Sequence, residues 1–261
     1  MSDASSFSLR GKVIIQFGGT GLLGRALVTE LASTGCTLVV ASRNRASLQA
    51  LADREKAAGR VVLIEETDIG SEASLHRLRD RVIADHKRVD GIVFNAVSRP
   101  MKTMNDPLSV CRESMETNAT GFFATVRAFG DAMAAQRSGS IVNIASIYGM
   151  VGSNLSLYEG TTMTTAPDYF FHKGGMLNLT RYLASHYGSR GVRVNVVSPG
   201  GIYNPDTPQS PQFIERYNKV TMLGRMANAP EVAGAVIFLL SDASTYVTGA
   251  NIPVDGGHTA K

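Results

Sequence analysis

The stretch Lys12-Val13-Ile14-Ile15-Gln16-Phe17-Gly18-Gly19-Thr20-Gly21-Leu22-Leu23-Gly24 decides the fold of this chain. Its first half is a short apolar run that ends in glycines, which is typical of a buried β-strand. Gly18, Gly21 and Gly24 lie three residues apart, and helical sequence follows at 25–34. Glycine permits a tight turn and lets backbone amides approach a pyrophosphate. The stretch therefore predicts a strand, turn and helix that bind a dinucleotide, with an ordinary strand-to-helix turn as the alternative.

The alternation of strand and helix continues through the rest of the chain. Further strands are predicted at 37–42, 61–64, 91–94, 140–146, 192–197 and 250–254, and helices at 45–58, 72–86, 111–136, 169–187 and 230–240. This order predicts an α/β fold, a doubly wound parallel sheet (Rossmann fold) with helices on both faces. No linker rich in Gly, Pro or Ser interrupts it. We therefore expect one domain over 1–261, with an N-terminal tail at 1–9.

The composition is that of a folded globular protein. Hydrophobic residues make up 44% and charged residues 18% of the 261 positions, which argues against disorder. The formal net charge of +4 is spread over interspersed residues, with no basic run dense enough for a nucleic-acid arm. We expect no nucleic-acid partner, and we interpret the charge as an aid to solubility or to binding an anionic small molecule.

Signals for targeting, membranes and metals are lacking in the sequence. Residues 1–10 have no apolar core of a secretory signal, and the most apolar run, 232–240, is too short to span a bilayer. Cys36 and Cys111 are far apart and lack the spacing of metal ligands, which fits a reducing compartment. These features predict a cytoplasmic protein without a membrane partner, a disulfide framework or a bound metal.

The end of the second predicted strand indicates which dinucleotide binds. An NAD site needs a carboxylate there for the ribose 2′-hydroxyl, but this chain has Ser42-Arg43-Asn44-Arg45. Arg43, with Ser42 and Arg45 as candidates beside it, would bind a 2′-phosphate through charge-assisted hydrogen bonds. NADP(H) is therefore favoured, with NAD(H) as the alternative. Asp68 is a candidate for binding the adenine amino group or for capping the next helix.

Tyr169 and Lys173 form a candidate proton relay. They are four residues apart in a predicted helix, so their side chains share one face. A free phenol is a poor base near neutral pH, but a nearby ammonium favours the phenolate form. Such a pair can give a proton to a carbonyl oxygen or take one from an alcohol. The same spacing also occurs on solvated helix faces, so the pair needs support from other residues.

That support comes from a resemblance over residues 10–257 to the classical short-chain dehydrogenase/reductase family. Besides the glycine turn, Tyr169 and Lys173, the matching positions are Asp68, Asn95-Ala96, Asn118, Ser146, Ser198-Pro199-Gly200, Leu223-Gly224-Arg225, Pro230-Glu231, Val247-Thr248-Gly249 and Val254-Asp255-Gly256-Gly257. So many matches in one order are not expected by chance.

The resemblance implies a catalytic tetrad of Asn118, Ser146, Tyr169 and Lys173. Tyr169 would be the acid/base, and Ser146 would stabilise charge on the substrate oxygen. Lys173 would bind the nicotinamide ribose and favour the phenolate form of Tyr169. Asn118 would hold a water that connects Lys173 to solvent. As structural alternatives, Ser146 could only cap the loop after its strand, and Asn118 could be a solvated helix residue or mark a helix kink.

The expected binding residues follow from these motifs. The residues expected to contact the cofactor are Gly18, Thr20, Gly21, Leu22, Leu23, Gly24, Ser42, Arg43, Asp68, Ile69, Asn95, Ala96, Tyr169, Lys173, Pro199, Gly200, Ile202 and Asn204. The candidate substrate residues are Ser146, Tyr148, Glu159, Tyr169 and Tyr203.

Four features depart from the family pattern. Leu22 stands where a glycine is usual, a spacing similar to that of extended members, which leaves the phosphate geometry open. Val97 puts a branched side chain where the chain normally passes close to the cofactor, while Asn95 is expected to keep a structural role. Phe170 and Phe171 replace small residues, so we expect them in core or interface packing, or in a wall of the substrate pocket.

The fourth departure is an insert at 147–168, between two residues of the tetrad. It is rich in hydroxyl groups, contains Glu159, and resembles a subgroup linked to nonulosonic-acid and flagellin-glycan pathways. These groups would suit a polyhydroxylated, sugar-like substrate; a loop that extends the helix cap or an oligomer contact is the alternative. Residues 201–220 have the composition of a mobile substrate lid, in which Asn204 could contact the cofactor amide.

Together these inferences predict an NADP(H)-dependent oxidoreductase that transfers hydride between nicotinamide and a secondary alcohol or ketone. The expected substrate is a polar or sugar-like small molecule. The alternatives are a sugar epimerase or dehydratase that uses its cofactor transiently, and a non-catalytic dinucleotide-binding scaffold. Retention of four reactive groups argues against the scaffold. By resemblance we expect a homotetramer, with a dimer as the alternative, and we interpret His172 as structural.

Overall fold

The computed structural model describes residues 5–261, and its centre is a seven-stranded parallel sheet. The strands are β1 (Val13–Phe17), β2 (Thr37–Ser42), β3 (Leu63–Glu66), β4 (Gly91–Phe94), β5 (Gly139–Ile144), β6 (Val192–Pro199) and β7 (Asn251–Val254). Their spatial order is β3-β2-β1-β4-β5-β6-β7. The chain order reverses at β1, which creates a switch point between β1 and β4. Ligands bind at such points, outside the carboxyl ends of the strands.

Eight α-helices, counted within residues 5–261, connect and cover the strands. They are α1 (Leu22–Ala32), α2 (Arg45–Ala57), α3 (Glu72–His86), α4 (Leu108–Met115), α5 (Phe122–Gln136), α6 (Pro167–Gly188), α7 (Pro211–Val220) and α8 (Ala233–Leu240). Helices α3, α5 and α6 pack on one face of the sheet, and α1, α2 and α8 pack on the other. The predicted doubly wound α/β fold is confirmed.

β1 shows why the sheet is covered on both faces. All five of its residues are buried. Ile15 and Phe17 pack into the layer of α3, α5 and α6, whereas Ile14 packs into the layer of α1, α2 and α8. Successive side chains of a strand point to opposite faces, so a continuous apolar run requires cover on both. Phe17 pairs with Ala41 and Phe94, which aligns the carboxyl ends of the central strands at one edge.

The structure corrects several predicted boundaries. The third strand is β3 rather than residues 61–64: Val61 is 78% exposed, and the pairing with β2 ends at Glu66 opposite Ser42. The fifth strand ends at Ile144, before Ser146. The predicted helix at 230–240 begins as a 3-10 turn, Ala229–Val232, before α8.

The predicted helix at 111–136 is also corrected, because it is not continuous. α4 ends at Met115, a π-helical turn covers Glu116–Gly121, and α5 begins at Phe122. A π-turn inserts one extra residue into a helix and often occurs at functional sites. Apolar periodicity could not reveal it, since the flanking helical turns have ordinary spacing.

The N-terminal segment at 5–9 packs on the domain. Leu9 is fully buried, and the ring centroids of Phe7 and Phe238 are 6.1 Å apart. Residues 1–4 of the predicted tail lie outside the described residues. Across the described part of the chain, no helix has the length and apolar character needed to cross a membrane. In that same part, no three His, Cys, Asp or Glu side chains cluster as metal ligands.

Candidate active site

A cavity of about 890 Å³ opens at the carboxyl ends of the strands, around the switch point. This volume is at the upper end of the range for small-molecule sites. Most of the predicted site residues line it: Gly18, Thr20, Gly21, Leu22, Leu23, Gly24, Ser42, Arg43, Ile69, Asn95, Ala96, Ser146, Tyr148, Tyr169, Lys173, Pro199, Gly200, Ile202 and Asn204. Five predicted residues lie outside the cavity lining: Arg45, Asp68, Asn118, Glu159 and Tyr203.

The glycine turn has a backbone geometry that requires glycine at Gly18. Its φ is +82°, in the left-handed region, and an added Cβ would lie 2.6 Å from the Ala96 amide nitrogen. The Asn95 side-chain amide donates to the Gly18 carbonyl at 2.7 Å, which is the structural role expected of Asn95. A Cβ at Gly24 would lie 2.3 Å from the Gly18 carbonyl oxygen, so α1 starts against the end of β1.

The amino end of α1 fits the pyrophosphate of a dinucleotide. Its N-cap residue is Gly21, and among residues 5–261 no side chain caps the first turn. The first backbone N–H groups of a helix have no partner within the helix, and the partial positive charge there favours an anion. Leu22 contributes its backbone to this turn, so the missing glycine does not remove the donor set.

The residues after β2 divide between the cavity and the next helix. Ser42 and Arg43 line the cavity, and Arg43 is exposed. Asn44 caps α2, since its side-chain oxygen accepts a hydrogen bond from the Ser47 amide at 2.8 Å. Asp68 is exposed, and its carboxylate accepts from the Gly70 amide at 3.0 Å. Asp68 is therefore not the cap of α3, a position that the Ser71 side chain takes.

Ser146, Tyr169 and Lys173 come together on one wall of the cavity. Ser146 follows β5, and its hydroxyl oxygen accepts from the Tyr148 amide at 3.2 Å, so it also caps the short turn Ile147–Gly149. Tyr169 and Lys173 lie one helical turn apart near the start of α6. The Lys173 Nζ lies 5.7 Å from the centroid of the Tyr169 ring.

Burial changes the acidity of Lys173. The residue is 3% exposed, and its Nζ donates to the Ile144 carbonyl at 2.6 Å. Desolvation by burial, followed by the repulsion of the Arg99 guanidinium, lowers the pKa of the Lys173 ammonium to about 7. One of its three N–H donors is used, which leaves two for a ligand. The arrangement allows this lysine to hold or release a proton near neutral pH.

Asn118 lies in the π-helical turn and is 3% exposed. Its side chain holds the segment after β4: Nδ2 donates to the Ser98 carbonyl at 2.8 Å, and Oδ1 accepts from the Ser98 amide at 2.9 Å. Nδ2 also donates to the Ser114 hydroxyl oxygen at 2.9 Å. Asn118 therefore lies in an irregular, π-helical turn and is buried rather than solvated, and its water-holding role stays a prediction.

Two buried polar side chains beside Tyr169 are additions to the predicted site. Asp168 lines the cavity and accepts a hydrogen bond from the Ser114 hydroxyl, while its other oxygen has no partner among the described residues. His172 is 5% exposed, and its ring packs edge-on to Tyr169 with centroids 5.2 Å apart. Burial lowers the pKa of His172 to about 3, so the imidazole is neutral. This packing fits the structural interpretation of His172.

The insert at 147–168 and the predicted lid segment at 201–220 pack against each other. Leu157 of the insert is buried with Phe213 and Tyr217 of α7. The Arg216 guanidinium donates to the carbonyl of Glu159 at 2.5 Å, so the backbone of Glu159 anchors the insert. Because the Glu159 side chain is exposed outside the cavity lining, the structure does not place it with the other candidate substrate residues.

Aromatic residues from the insert form a further wall. The phenol oxygens of Tyr148 and Tyr158 are 2.6 Å apart, and burial raises the pKa of Tyr158. The Phe170 ring packs on Tyr148 with centroids 4.6 Å apart and lines the cavity. Phe171, in contrast, is 73% exposed. Phe170 and Phe171, for which the sequence predicts the same kind of packing, therefore have different surroundings. Tyr203 packs against the cluster of Leu157, Phe213 and Tyr217 instead of lining the cavity.

Arg99 is a cavity residue that the sequence analysis missed. It follows Asn95-Ala96-Val97 after β4, and its guanidinium carbon lies 4.9 Å from the centroid of the Tyr169 ring. The available signal was a basic residue in a segment expected to run along the cofactor. The contact between Arg99 and Tyr169 could not be predicted, because the two residues are far apart in sequence.

The fold and this cavity define an NAD(P)-dependent oxidoreductase with a Rossmann sheet, and comparison with known proteins agrees. The chain belongs to the short-chain dehydrogenase/reductase family, and residues 21–259 match the family model described as enoyl-(acyl carrier protein) reductase. A nicotinamide dinucleotide is therefore its cofactor.

The similar proteins differ in substrate and in cofactor. Galactitol 2-dehydrogenase (L-tagatose-forming) of Cereibacter sphaeroides is 30% identical over 99% of both chains. Post-translational flagellin modification protein A of Campylobacter coli is 29% identical over 95% of this chain and 98% of its own.

Two solved structures show the same fold with different dinucleotides. A gluconate 5-dehydrogenase of Burkholderia cenocepacia J2315, bound to NADP and tartrate, has a TM-score of 0.87 and 26% identity over 98% of both chains. A short-chain dehydrogenase of Leptospira borgpetersenii with bound NAD⁺ has a TM-score of 0.86 and 27% identity, covering 99% of this chain and 97% of its own.

Proposed function

We propose that this protein is an NADP(H)-dependent oxidoreductase that transfers hydride between nicotinamide and a secondary alcohol or ketone. The observation that carries the proposal is the shared cavity of the glycine turn, Arg43 and the Ser146/Tyr169/Lys173 wall. A dinucleotide lying between the turn and that wall would present its nicotinamide to the reactive phenol. The reaction converts an alcohol and NADP⁺ into a ketone, NADPH and a proton, or the reverse.

The proposed proton chemistry belongs to Tyr169. Its phenol oxygen takes the proton of the substrate hydroxyl in oxidation and returns one to the carbonyl oxygen in reduction. The Ser146 hydroxyl donates to the same substrate oxygen and stabilises its developing charge. Lys173 favours the phenolate form and uses its two remaining donors for the ribose hydroxyls. The cofactor, when bound, supplies the hydride chemistry.

The preference for NADP(H) over NAD(H) rests on Arg43. It is an exposed cation at the cavity edge where β2 ends, and a 2′-phosphate is a good partner for a guanidinium. Of the described residues that line the cavity, Asp168 is the only acidic one, and it lies on α6 beside Tyr169. No carboxylate therefore lines the end of β2, where an NAD site would need one.

A polar, sugar-like substrate is the class we propose. Hydroxyl-bearing residues of the insert and its neighbours line the cavity, among them Tyr148, Tyr158, Thr164 and Thr165. The names of two similar proteins give galactitol and gluconate as substrates, and a third gives flagellin modification. An epimerase or dehydratase and a non-catalytic scaffold are the alternatives. Net consumption of NADPH separates the first proposal from the epimerase.

We further propose, by resemblance to the family, a homotetramer in the cytoplasm, with a dimer as the alternative. Phe171 is 73% exposed on α6, and aromatic rings are the side chains that contribute most when an interface buries them. Sedimentation of the purified protein measures the assembly directly, and a monomer would contradict the proposal.

The experiment that tests the function is a fluorescence titration with NADPH and with NADH. Wild type should prefer NADPH, and Arg43→Ala should remove that preference by raising the Kd for NADPH alone. Arg10→Ala is the matched control, because Arg10 is exposed and precedes β1, at the edge opposite the cavity. Equal or tighter binding of NADH by wild type would overturn the cofactor assignment. Binding of neither nucleotide would overturn the proposed function.

A further inference from the structure

The guanidinium of Arg99 stands beside the reactive phenol. Its central carbon is 4.9 Å from the centroid of the Tyr169 ring, and the residue lines the cavity. A contact of this kind between a guanidinium and an aromatic ring holds the side chain in place. Arginine keeps its positive charge throughout the physiological pH range. The proposed reaction does not use this cation, although it lies next to the acid/base.

The neighbouring acidic groups are engaged with other partners. One oxygen of Asp168 accepts a hydrogen bond from the Ser114 hydroxyl, and the other has no partner among the described residues. The Asp106 carboxylate accepts from the Lys102 and Thr103 amides and from the Thr103 hydroxyl. Within residues 5–261, no carboxylate lies within ion-pair distance of the Arg99 guanidinium. The side chain therefore lines the cavity with five N–H donors that have no acidic partner among the described residues.

A second cation reinforces this wall. Lys102 also lines the cavity, and its Nζ donates to the Arg99 carbonyl at 2.7 Å. Apart from Asp168, the described residues of the cavity lining carry no acidic side chain. The field near Tyr169 is therefore positive. Its effect extends to Lys173 and His172, where repulsion from Arg99 adds to burial in lowering both pKa values.

We propose that Arg99 binds a carboxylate of the substrate, so that the enzyme acts on hydroxy acids or oxo acids rather than on neutral alcohols. The inference rests on the proposed function, since it assigns the substrate of that site. A guanidinium pairs with a carboxylate through two parallel hydrogen bonds, which orients the substrate as well as holding it. A carboxylate a few bonds from the reacting carbon would meet Arg99 while the hydroxyl meets Tyr169 and Ser146.

The test compares acids with neutral molecules of the same carbon skeleton. The probe pairs are gluconate and glucitol, glycerate and glycerol, and 3-hydroxybutyrate and 3-hydroxybutanamide, each assayed with NADP⁺ and with NAD⁺. The measured quantity is the kcat/KM ratio of acid to neutral partner. A change in the proton chemistry at Tyr169 affects both members alike, so the ratio reports carboxylate recognition alone.

In wild type the ratio should exceed ten for at least one pair. Arg99→Gln should lower that ratio about 10- to 100-fold, mainly through KM, because a charge-assisted hydrogen-bond pair is lost. Arg99→Lys should keep part of the wild-type ratio, since a lysine keeps the positive charge but lacks the two parallel N–H donors of the guanidinium. Arg10→Gln, the same substitution at the far edge of the sheet, should keep the wild-type ratio.

Calorimetric titration of the protein–NADP⁺ complex with the same probes covers the case in which none is oxidised. Tighter binding of an acid than of its neutral partner, lost in Arg99→Gln, supports the inference even without turnover. Absence of turnover would count against the proposed function instead. A ratio near one in wild type, or a ratio unchanged by Arg99→Gln in both measurements, overturns the inference. Preference for a phosphorylated probe, glucitol 6-phosphate, over gluconate would overturn the assignment to a carboxylate.

Discussion

The guanidinium of Arg25 donates a hydrogen bond to the carboxylate of Asp206, at 2.5 Å. Arg25 lies on α1 directly after the glycine turn, and Asp206 lies in the segment between β6 and α7. The glycine turn and the segment at 201–210 both contribute residues to the cavity wall and are far apart in sequence, so this ion pair joins the glycine turn to the predicted lid segment.

Breaking this pair should speed cofactor release. The side chains are 39% and 62% exposed, and exposed pairs contribute only about 0.2–1 kcal/mol. We expect Arg25→Ala and Asp206→Ala each to raise the NADPH dissociation rate a few-fold, measured by stopped-flow fluorescence. The double variant should add little to either single change. Fully additive effects would show that the pair does not link the two segments.

Gly18 and Gly21 should separate folding from binding. An alanine at Gly18 would combine a left-handed φ with backbone contacts under 3 Å, so we expect a loss of at least about 2 kcal/mol in unfolding free energy. A Cβ at Gly21 meets no atom within 4 Å, and the residue lines the cavity. Gly21→Ala should therefore melt like wild type and bind NADPH more weakly. Equal melting temperatures of Gly18→Ala and Gly21→Ala would contradict the geometry of the turn.

Ser114 should be important for stability because it connects two buried polar side chains near the proposed active site. Its hydroxyl donates to Asp168 and accepts from Asn118, and Ser114 and both partners are buried. Ser114→Ala leaves both partners short of a hydrogen bond, which should cost about 1–3 kcal/mol in chemical denaturation. Ser109→Ala, on the exposed side of α4, is the matched control and should change stability by less than about 0.5 kcal/mol.

Lys173 should make stability depend on pH in the protein without cofactor. Burial lowers the pKa of its ammonium from 10.5 to about 7, so between these values the unfolded chain binds a proton that the folded chain does not. Stability then rises with pH across this window, by up to about 1.4 kcal/mol per pH unit. The gain should vanish in Lys173→Met and persist in Lys56→Met, at an exposed position on α2. If the unfolding free energy of the wild type changes from pH 7 to 10 in the same way as that of Lys173→Met, the buried lysine stays charged.

Tyr169→Phe should separate turnover from cofactor binding. Loss of the phenol hydroxyl removes general acid–base catalysis, which is worth about 10²- to 10⁴-fold in rate. We expect turnover of any accepted alcohol to fall by that factor, while the Kd for NADPH stays within about two-fold because the ring is kept. Tyr182→Phe, 61% exposed on the same helix, should leave turnover unchanged. Turnover that survives Tyr169→Phe would remove Tyr169 from the acid/base role.

Local patterns in the sequence were enough to predict the sheet and about half of the residues that line the cavity. The apolar run of β1, the glycines after it and the four-residue spacing of Tyr169 and Lys173 each act within a few residues. Their geometry depends on backbone preferences and on helix or strand periodicity, so they can be predicted without knowing the rest of the chain. The predicted strand at 61–64 began two residues early, because its pairing with β2 begins at Leu63 opposite Val39 and continues to Glu66 opposite Ser42.

The features that only the tertiary structure decided all join segments distant in sequence. Arg99 meets Tyr169, Arg25 meets Asp206, and the insert packs on α7 instead of presenting Glu159 to the cavity. The π-turn at Glu116–Gly121 belongs here too, because it places Asn118 against the segment after β4.

The physical reason is that sequence periodicity specifies which face of an element is buried, whereas long-range packing decides which side chains meet. The sequence by itself determined a dinucleotide-binding Rossmann sheet with a Tyr/Lys pair at its helix α6. The tertiary structure decided that a guanidinium lies beside Tyr169 in the cavity wall, since this contact depends on where the fold places the segment after β4.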